Sequence, residues 1–391
     1  MTTSKPIYLD NNATTPCAPE VVQAMLPYFG ESYGNPASPH EYGRAAAAAV
    51  TKAREQVAQA IGCDPTEVIF TSGATEANNL VLLGCRSSCP KRRKVVTTAV
   101  EHKSILNPVE ELRSQGFEIV VLPVDSAGVV SVSEVEELID DTVLLVSVQG
   151  ANNEVGTIQP VAQIAEIARS RGALVHCDAA QMLGKTPLEM DSLGVDYASL
   201  SAHKAYGPKG VGGLFARSGV AQSSLAPIMF GGGQESGFRP GTVNVPATVG
   251  FGEACNLIGA RLAKDMRHVG RLTARLGQQL GTRIPGISVN GTAGAGLPGT
   301  LSVTVSGVPA DVLIAHAPTI CISNGSACSS GTIATSHVLE AIGHAQEDAR
   351  STIRISLGRY TTDQEVAEAT EALVSAVDAA RSVLDFDGAG G

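Results

Sequence analysis

The sequence has no run that approaches the about 20 consecutive apolar residues a bilayer-spanning helix needs. It also lacks a charged N-terminal end followed by an apolar core, because residues 8–12, Tyr-Leu-Asp-Asn-Asn, turn polar at once. Neither a membrane span nor a secretory leader is expected, and the reading that follows is a cytoplasmic protein. Positive charge is not in excess: 28 Lys and Arg stand against 38 Asp and Glu, for a net charge of −10. That balance argues against a general nucleic-acid-binding surface. The one basic cluster, Lys91-Arg92-Arg93-Lys94, lies between an expected helix and strand and reads as a solvated loop. Cysteine is neither dense nor paired. Eight are spread over 391 residues, and Cys85 and Cys89, at a ligand-like spacing, have no second such pair nearby, so neither a disulfide scaffold nor a zinc site is expected. No internal repeat is visible.

What is present is a globular, enzyme-like balance, with 43% hydrophobic and 17% charged residues and a length that suits two or three domains. Short apolar strands alternate with amphipathic helices. Strands are expected at 68–70, 95–100, 117–124, 143–148, 173–177 and 197–200. Between them, helices are expected at 75–83, 108–114 and 161–170, with another opened by a capping box of Ser133 and Glu136. This alternation predicts an α/β domain with a mostly parallel sheet covered on both faces, spanning 16–252. After it come a long helical pattern, 253–280, strand-like segments at 299–306, 320–323 and 352–356, and a final helix, 363–384. Residues 253–391, joined by 1–15, are expected to form a smaller α+β domain.

Ligands of open α/β sheets bind beyond the carboxyl ends of the strands, so polar residues there are the candidates. The turn Thr71-Ser72-Gly73-Ala74-Thr75-Glu76 opens a helix, whose free N–H groups at Ala74 and Thr75 suit a phosphate. His102 follows the next strand and could stack on a planar ring or move protons. The run from Gln149 to Glu154 offers amide donors, Asn153 among them. Asp178 needs a cationic partner to offset its burial, and the protonated ring nitrogen of pyridoxal phosphate is one. Lys204, in Ser201-Ala202-His203-Lys204, reads by itself as a surface cation; beside these residues it reads as the amine for a Schiff base.

Seven segments then resemble the cysteine desulfurase family: TSGATEANN (71–79), EHKSILNP (101–108), NNEVGTIQP (152–160), HCDAAQ (176–181), SAHKAYGPKG (201–210), GGGQESGFRPGT (231–242) and GSACSSG (325–331). The match runs in order from YLDNNATTP to IRISLGRYTT (353–362). The resemblance implies the pyridoxal-phosphate-dependent transferase fold of aspartate aminotransferase, a homodimer, and conversion of L-cysteine to L-alanine with sulfur left on an enzyme cysteine. It implies Lys204 as the cofactor-bearing lysine, Asp178 facing the pyridine nitrogen, His102 stacked on the ring, and Asn153 and Gln181 near its hydroxyl. Thr75, Ser201 and His203 would hold the phosphate, Thr242 would reach it from the partner subunit, and Arg354 would pair with the substrate carboxylate.

Cys328 lies among small and polar residues, a setting that suits a nucleophilic thiol better than a core cysteine. With the resemblance it becomes the persulfide carrier, with Lys204 as the base at Cα and His102 as a proton handler. The stretch from Cys328 to the helix near Ser336 resembles the subclass with an extended cysteine loop. The sulfur would pass to an acceptor protein in iron–sulfur cluster assembly, tRNA thiolation or DNA backbone modification. The alternatives are a selenocysteine lyase or another enzyme of this fold, which would have no need of Cys328, and a non-catalytic sulfur-relay scaffold.

Overall fold

The computed structural model describes residues 5–292, 294–324 and 335–388. After a two-residue strand β1 (Ile7–Tyr8), seven strands build one sheet: β2 (Val68–Thr71), β3 (Lys94–Thr98), β4 (Glu118–Leu122), β5 (Val143–Gln149), β6 (Leu174–Asp178), β7 (Tyr197–Ser201) and β8 (Gly212–Ala216). Their order is β2-β8-β7-β6-β5-β3-β4, and every pairing is parallel except the two made by β8. Side chains alternate between two cores. Val68 and Phe70 of β2 pack on one face of the sheet while Ile69 packs on the other, and Val96 and Val95 of β3 divide in the same way. Burial on both faces explains why these strands read as continuous apolar runs.

Strand β8 escapes the sequence pattern because Gly-Gly-Leu-Phe-Ala has no β-branched residue and two glycines. The structure supplies the reason for Gly212. A Cβ there would lie 2.3 Å from the Leu200 carbonyl oxygen and 2.7 Å from Gly73 Cα. Gly212 therefore lets β8 run hard against the turn that opens the helix Ala74–Gly84. Gly212→Ala is expected to cost about 1–3 kcal/mol through overpacking and to weaken cofactor binding by displacing that turn. Urea unfolding and cofactor titration check this; a variant unchanged in both would refute it.

Among the element boundaries that differ from the sequence expectation, three bear on the site and the cores. The helix expected at 108–114 begins at Lys103, capped by the His102 side chain, and carries Pro108 inside it. The N-cap of the helix Val132–Leu138 is Ser131, whose hydroxyl accepts the Glu134 N–H, and not Ser133. The long helix spans Val245–Arg283 and serves two cores, with Phe251, Cys255 and Ile258 in that of the large sheet and Val269, Leu272, Leu276 and Leu280 in the second. The second core surrounds an antiparallel sheet of order β12-β13-β10-β9, formed by β9 (Ile287–Asn290), β10 (Thr300–Val305), β12 (Ser323–Asn324) and β13 (Thr352–Ser356). Beside it, β1 pairs in parallel with β11 (Ile320–Cys321).

The basic cluster is engaged within the chain. Arg92 donates to the carbonyls of Val143 and Arg171, Arg93 lies over the Phe117 ring, and Lys94 pairs with Asp140 at 2.7 Å. Among the described residues no helix is long and apolar enough to cross a membrane, and no cluster of His, Cys, Asp or Glu could hold a metal ion.

Candidate active site

The carboxyl ends of the parallel strands open into a cavity of about 530 Å³. Nine of the residues expected from the sequence line it: Ala74, Thr75, His102, Asn153, Asp178, Gln181, Ser201, His203 and Lys204. They come from five separate segments, and the sheet brings them together because each follows the end of a strand.

Lys204 closes the single 3₁₀ turn Ala202–Lys204 that follows β7. Its Nζ donates to the Asn12 carbonyl at 2.9 Å. Tyr206, two residues on, holds a left-handed φ of 64°, a costly conformation for an aromatic residue. The N-terminal turn stabilises it. Thr15 Oγ1 accepts the Tyr206 N–H and donates to the His203 carbonyl, both at 2.9 Å, and the Ala18 N–H donates to the Tyr206 carbonyl.

One pole of the cavity is built for an anion. Gly73, with φ 155° and ψ 178°, gives the helix Ala74–Gly84 no side-chain cap, and no atom lies within 4 Å of where its Cβ would stand. The first N–H groups of that helix remain available beside Thr75. Burial, with Lys204, Lys209 and Lys185 nearby, pushes His203 down to about 4, so its imidazole is neutral at physiological pH. Opposite in charge is the Asp178 carboxylate. Its Oδ2 accepts from Asn78 Nδ2 at 2.8 Å and its Oδ1 from the Ala180 N–H at 3.0 Å.

Arg354 and Thr242 do not line this cavity. Arg354 is buried, with Nη2 on Asp10 Oδ1 at 2.7 Å and Nη1 on the Asn153 carbonyl at 3.1 Å, and its Nε has no partner among the described residues. Thr242 is exposed. Cys328 lies outside the described residues.

Residues 7–368 match the profile described as Aminotransferase class-V. The chain is 41% identical to the mitosomal cysteine desulfurase of Encephalitozoon cuniculi over 98% of its own length and 89% of that protein. It is 42% identical to the mitochondrial cysteine desulfurase of Drosophila melanogaster (98% and 83% covered) and 40% identical to the cysteine desulfurase IscS of Rickettsia akari (97% and 92% covered). The chain belongs to the class-V aminotransferase family. It is a pyridoxal-phosphate-dependent cysteine desulfurase, an enzyme of sulfur transfer. Its fold agrees: a solved NifS-like protein superposes with a TM-score of 0.89 at 38% identity, covering 97% of this chain and all of that one. DndA from Streptomyces lividans superposes with 0.77 at 37% identity, covering 88% of this chain and 98% of that one.

The expectation of a cytoplasmic desulfurase is corrected by these relatives, since two of the three carry mitosomal or mitochondrial names. Absence of an apolar leader could not decide the matter, because organelle-targeting segments are amphipathic and arginine-rich instead.

The residues fit pyridoxal phosphate by the chemistry of their donors. A helix N-terminus with Thr75, Ser201 and a neutral His203 suits the phosphate, and the carboxylate of Asp178 suits a protonated pyridine nitrogen. The sequence reading missed several residues of the desulfurase site. Lys185 is partly buried and donates to Gln181 Oε1 at 2.6 Å and Asn12 Oδ1 at 2.8 Å; desolvation of its amine, with Lys204 and Arg354 close by, holds its pKa well below the usual lysine range. Asn12 itself joins the two lysines, and Lys209 lines the cavity. The signal for Lys185 was its position four residues after Gln181, on the same side of a turn that already held two candidates.

Proposed function

We propose the following division of roles in the desulfurase reaction. Pyridoxal phosphate, when bound, supplies an electron sink that loosens bonds at the α- and β-carbons of an amino acid joined to it. Lys204 carries the cofactor and then takes the Cα proton of L-cysteine on Nζ. Asp178 keeps the ring nitrogen protonated, His102 stacks on the ring, and Asn153 and Gln181 flank its hydroxyl. Ala74, Thr75, Ser201 and His203 hold the phosphate. Arg354 receives the substrate carboxylate, pre-oriented by Asp10. The Cβ–S bond breaks as the Cys328 thiolate takes the sulfur. An S–S bond forms, Cβ gains a proton, and L-alanine leaves a persulfide on Cys328.

The observation that carries this reading is the meeting of Lys204, Asp178 and His102 in one cavity with the uncapped helix at Thr75. The test is incubation with L-cysteine, with alanine quantified and the intact mass followed. A gain of one sulfur that maps to the peptide containing Cys328 is expected; alanine formed with the sulfur on another cysteine would refute the assignment.

The division into a large cofactor-binding domain, 16–252, and a small domain of 1–15 with 253–391 is proposed on the same footing. The change of core along Val245–Arg283 supports two units and moves the proposed junction from 252/253 to between Ile258 and Val269. A homodimer is proposed as well. Val22, Leu26 and Phe29 recur at helical spacing and are exposed, and Phe230 is 89% exposed just before the segment that ends at Thr242. Such apolar faces suit a second copy, from which Thr242 would reach the phosphate. Phe29→Asp combined with Phe230→Asp is expected to give monomers in sedimentation and at least tenfold weaker cofactor binding, consistent with loss of a phosphate donor worth about 1.4 kcal/mol or more. A double variant that remains dimeric would refute the interface.

For the sulfur, an acceptor protein of iron–sulfur cluster assembly is proposed, on the strength of the family resemblance along the whole chain. Capture of the acceptor by the persulfide-loaded enzyme tests it; a tRNA-thiolation or DNA-modification protein recovered instead would redirect it.

A further inference from the structure

His102 was expected to stack on the ring and to carry protons. Its hydrogen-bond partners separate those two roles. The chain of contacts starts at Asp178, whose Oδ2 lies 2.8 Å from Asn78 Nδ2. Only an N–H can face a carboxylate there, so the Asn78 amide is oriented by chemistry and its oxygen is turned away; that Oδ1 is buried without a partner among the described residues. The second hydrogen of the same Nδ2 points to Ser104 Oγ at 2.8 Å. The serine hydroxyl therefore accepts from Asn78, and its one hydrogen goes to its remaining neighbour, His102 Nδ1, at 2.7 Å. Nδ1 also accepts the Ser104 backbone N–H at 3.1 Å, the capping bond of the helix Lys103–Ser114.

A hydroxyl can rotate, but a backbone N–H cannot. A proton on Nδ1 would face the Ser104 N–H directly and would end the cap. Protonation of both ring nitrogens would in addition place a cation at the positive end of a helix. Charged groups around the ring add to this. Lys103 on its own helix, Lys204 beyond β7 and His337 on the helix His337–Ala341 all oppose a positive imidazole; Asp178 favours one. Burial outweighs these and lowers the basicity of His102.

We propose that Asn78 and Ser104 are positioning residues that hold His102 as a neutral imidazole with its proton on Nε2. His102 then meets the cofactor as a stacking group and a hydrogen-bond donor, not as a proton carrier. Proton transfer at Cα is left to Lys204. The meeting with the cofactor rests on the function proposed above; the tautomer rests on this chain's own contacts.

The test is nitrogen-15 NMR of the holoenzyme labelled at histidine, with the His102 signals assigned by His102→Gln. One protonated and one unprotonated ring nitrogen, with the proton on Nε2, are expected throughout about pH 6 to about 8, the range in which an ordinary histidine titrates. Ser104→Ala is expected to raise the pKa of His102 by about one unit, the effect of losing one donor to the basic nitrogen, and Ser104→Thr to restore it. An imidazolium or an Nδ1–H tautomer in that range would overturn the inference, and so would a Ser104→Ala enzyme whose His102 titrates like the parent's. A protein that binds no cofactor would strike the proposed function instead and leave these signals to be read on their own.

Discussion

Lys204→Ala is expected to remove the visible absorbance of the bound cofactor and to lower L-cysteine turnover on the order of 10³–10⁴-fold or more. The size follows from two losses at one atom. In the proposed roles Nζ anchors the cofactor and is also the base at Cα; general-base catalysis alone contributes about 10²–10⁴-fold. The fold should survive, because the Asn12 carbonyl to which the lysine donates also accepts from Gln181 Nε2 at 3.0 Å. Absorbance spectra before and after L-cysteine, together with alanine release and a thermal unfolding curve, separate these effects. A folded Lys204→Ala enzyme that keeps its colour and its turnover would end the assignment of this lysine.

The fixed geometry around Lys204 depends on the N-terminal turn more than its length suggests. Asn11 N–H donates to the Ser356 carbonyl of β13, Asp10 holds Arg354 of the same strand, and Asn12 and Thr15 hold the lysine turn. A segment of six residues thus fastens the second core to the cofactor cavity of the first. Arg354 and Lys204, the residues proposed for carboxylate recognition and proton abstraction, are aligned through hydrogen bonds to one short stretch of chain.

Much of this could be read from the sequence, and what could not has physical reasons. Strands β5 and β6 announced themselves because burial on both faces leaves them mainly apolar, apart from the mutually bonded Ser147 and His176, until the last position, where Gln149 and Asp178 stand out. Strand β8 did not, because Gly212 answers to the close approach of the Gly73 turn, and that approach is a tertiary fact. The helix behind His102 was placed five residues late, since Pro108 looked like a first-turn proline; it sits inside the helix while the histidine itself caps it. Lys204, Asp178 and Thr75 were legible from their places at strand ends. Asn12, Lys185, Asn78 and Ser104 were not, because each acts through a partner distant in sequence, and composition carries no sign of such a pairing.

Cys328→Ser is expected to leave the colour and the spectral response to L-cysteine intact while sulfide and persulfide formation fall to background, about 10²-fold or more. Serine preserves size and hydrogen bonding, so binding and Cα proton removal, which the proposed roles give to Lys204, Arg354 and Asp178, have no reason to change. The failing step is transfer. An alkoxyl oxygen is protonated at working pH and cannot form the S–S bond that releases the substrate sulfur, whereas a thiol is partly ionised there. Four of the other cysteines are poor substitutes. Burial raises the thiol pKa of Cys177 and Cys255 far above neutrality and pushes Cys85 up to about 12. Cys17 is half-buried with its thiol pKa also raised. The decisive measurement is a single turnover with L-cysteine, in which the absorbance change is followed beside persulfide chemically trapped on the protein. Early spectral change without trapped sulfur places Cys328 after the cofactor chemistry. Persulfide at the parent's level in Cys328→Ser would assign the sulfur to a different thiol and dissolve the pairing of a fixed lysine with a sulfur-carrying cysteine.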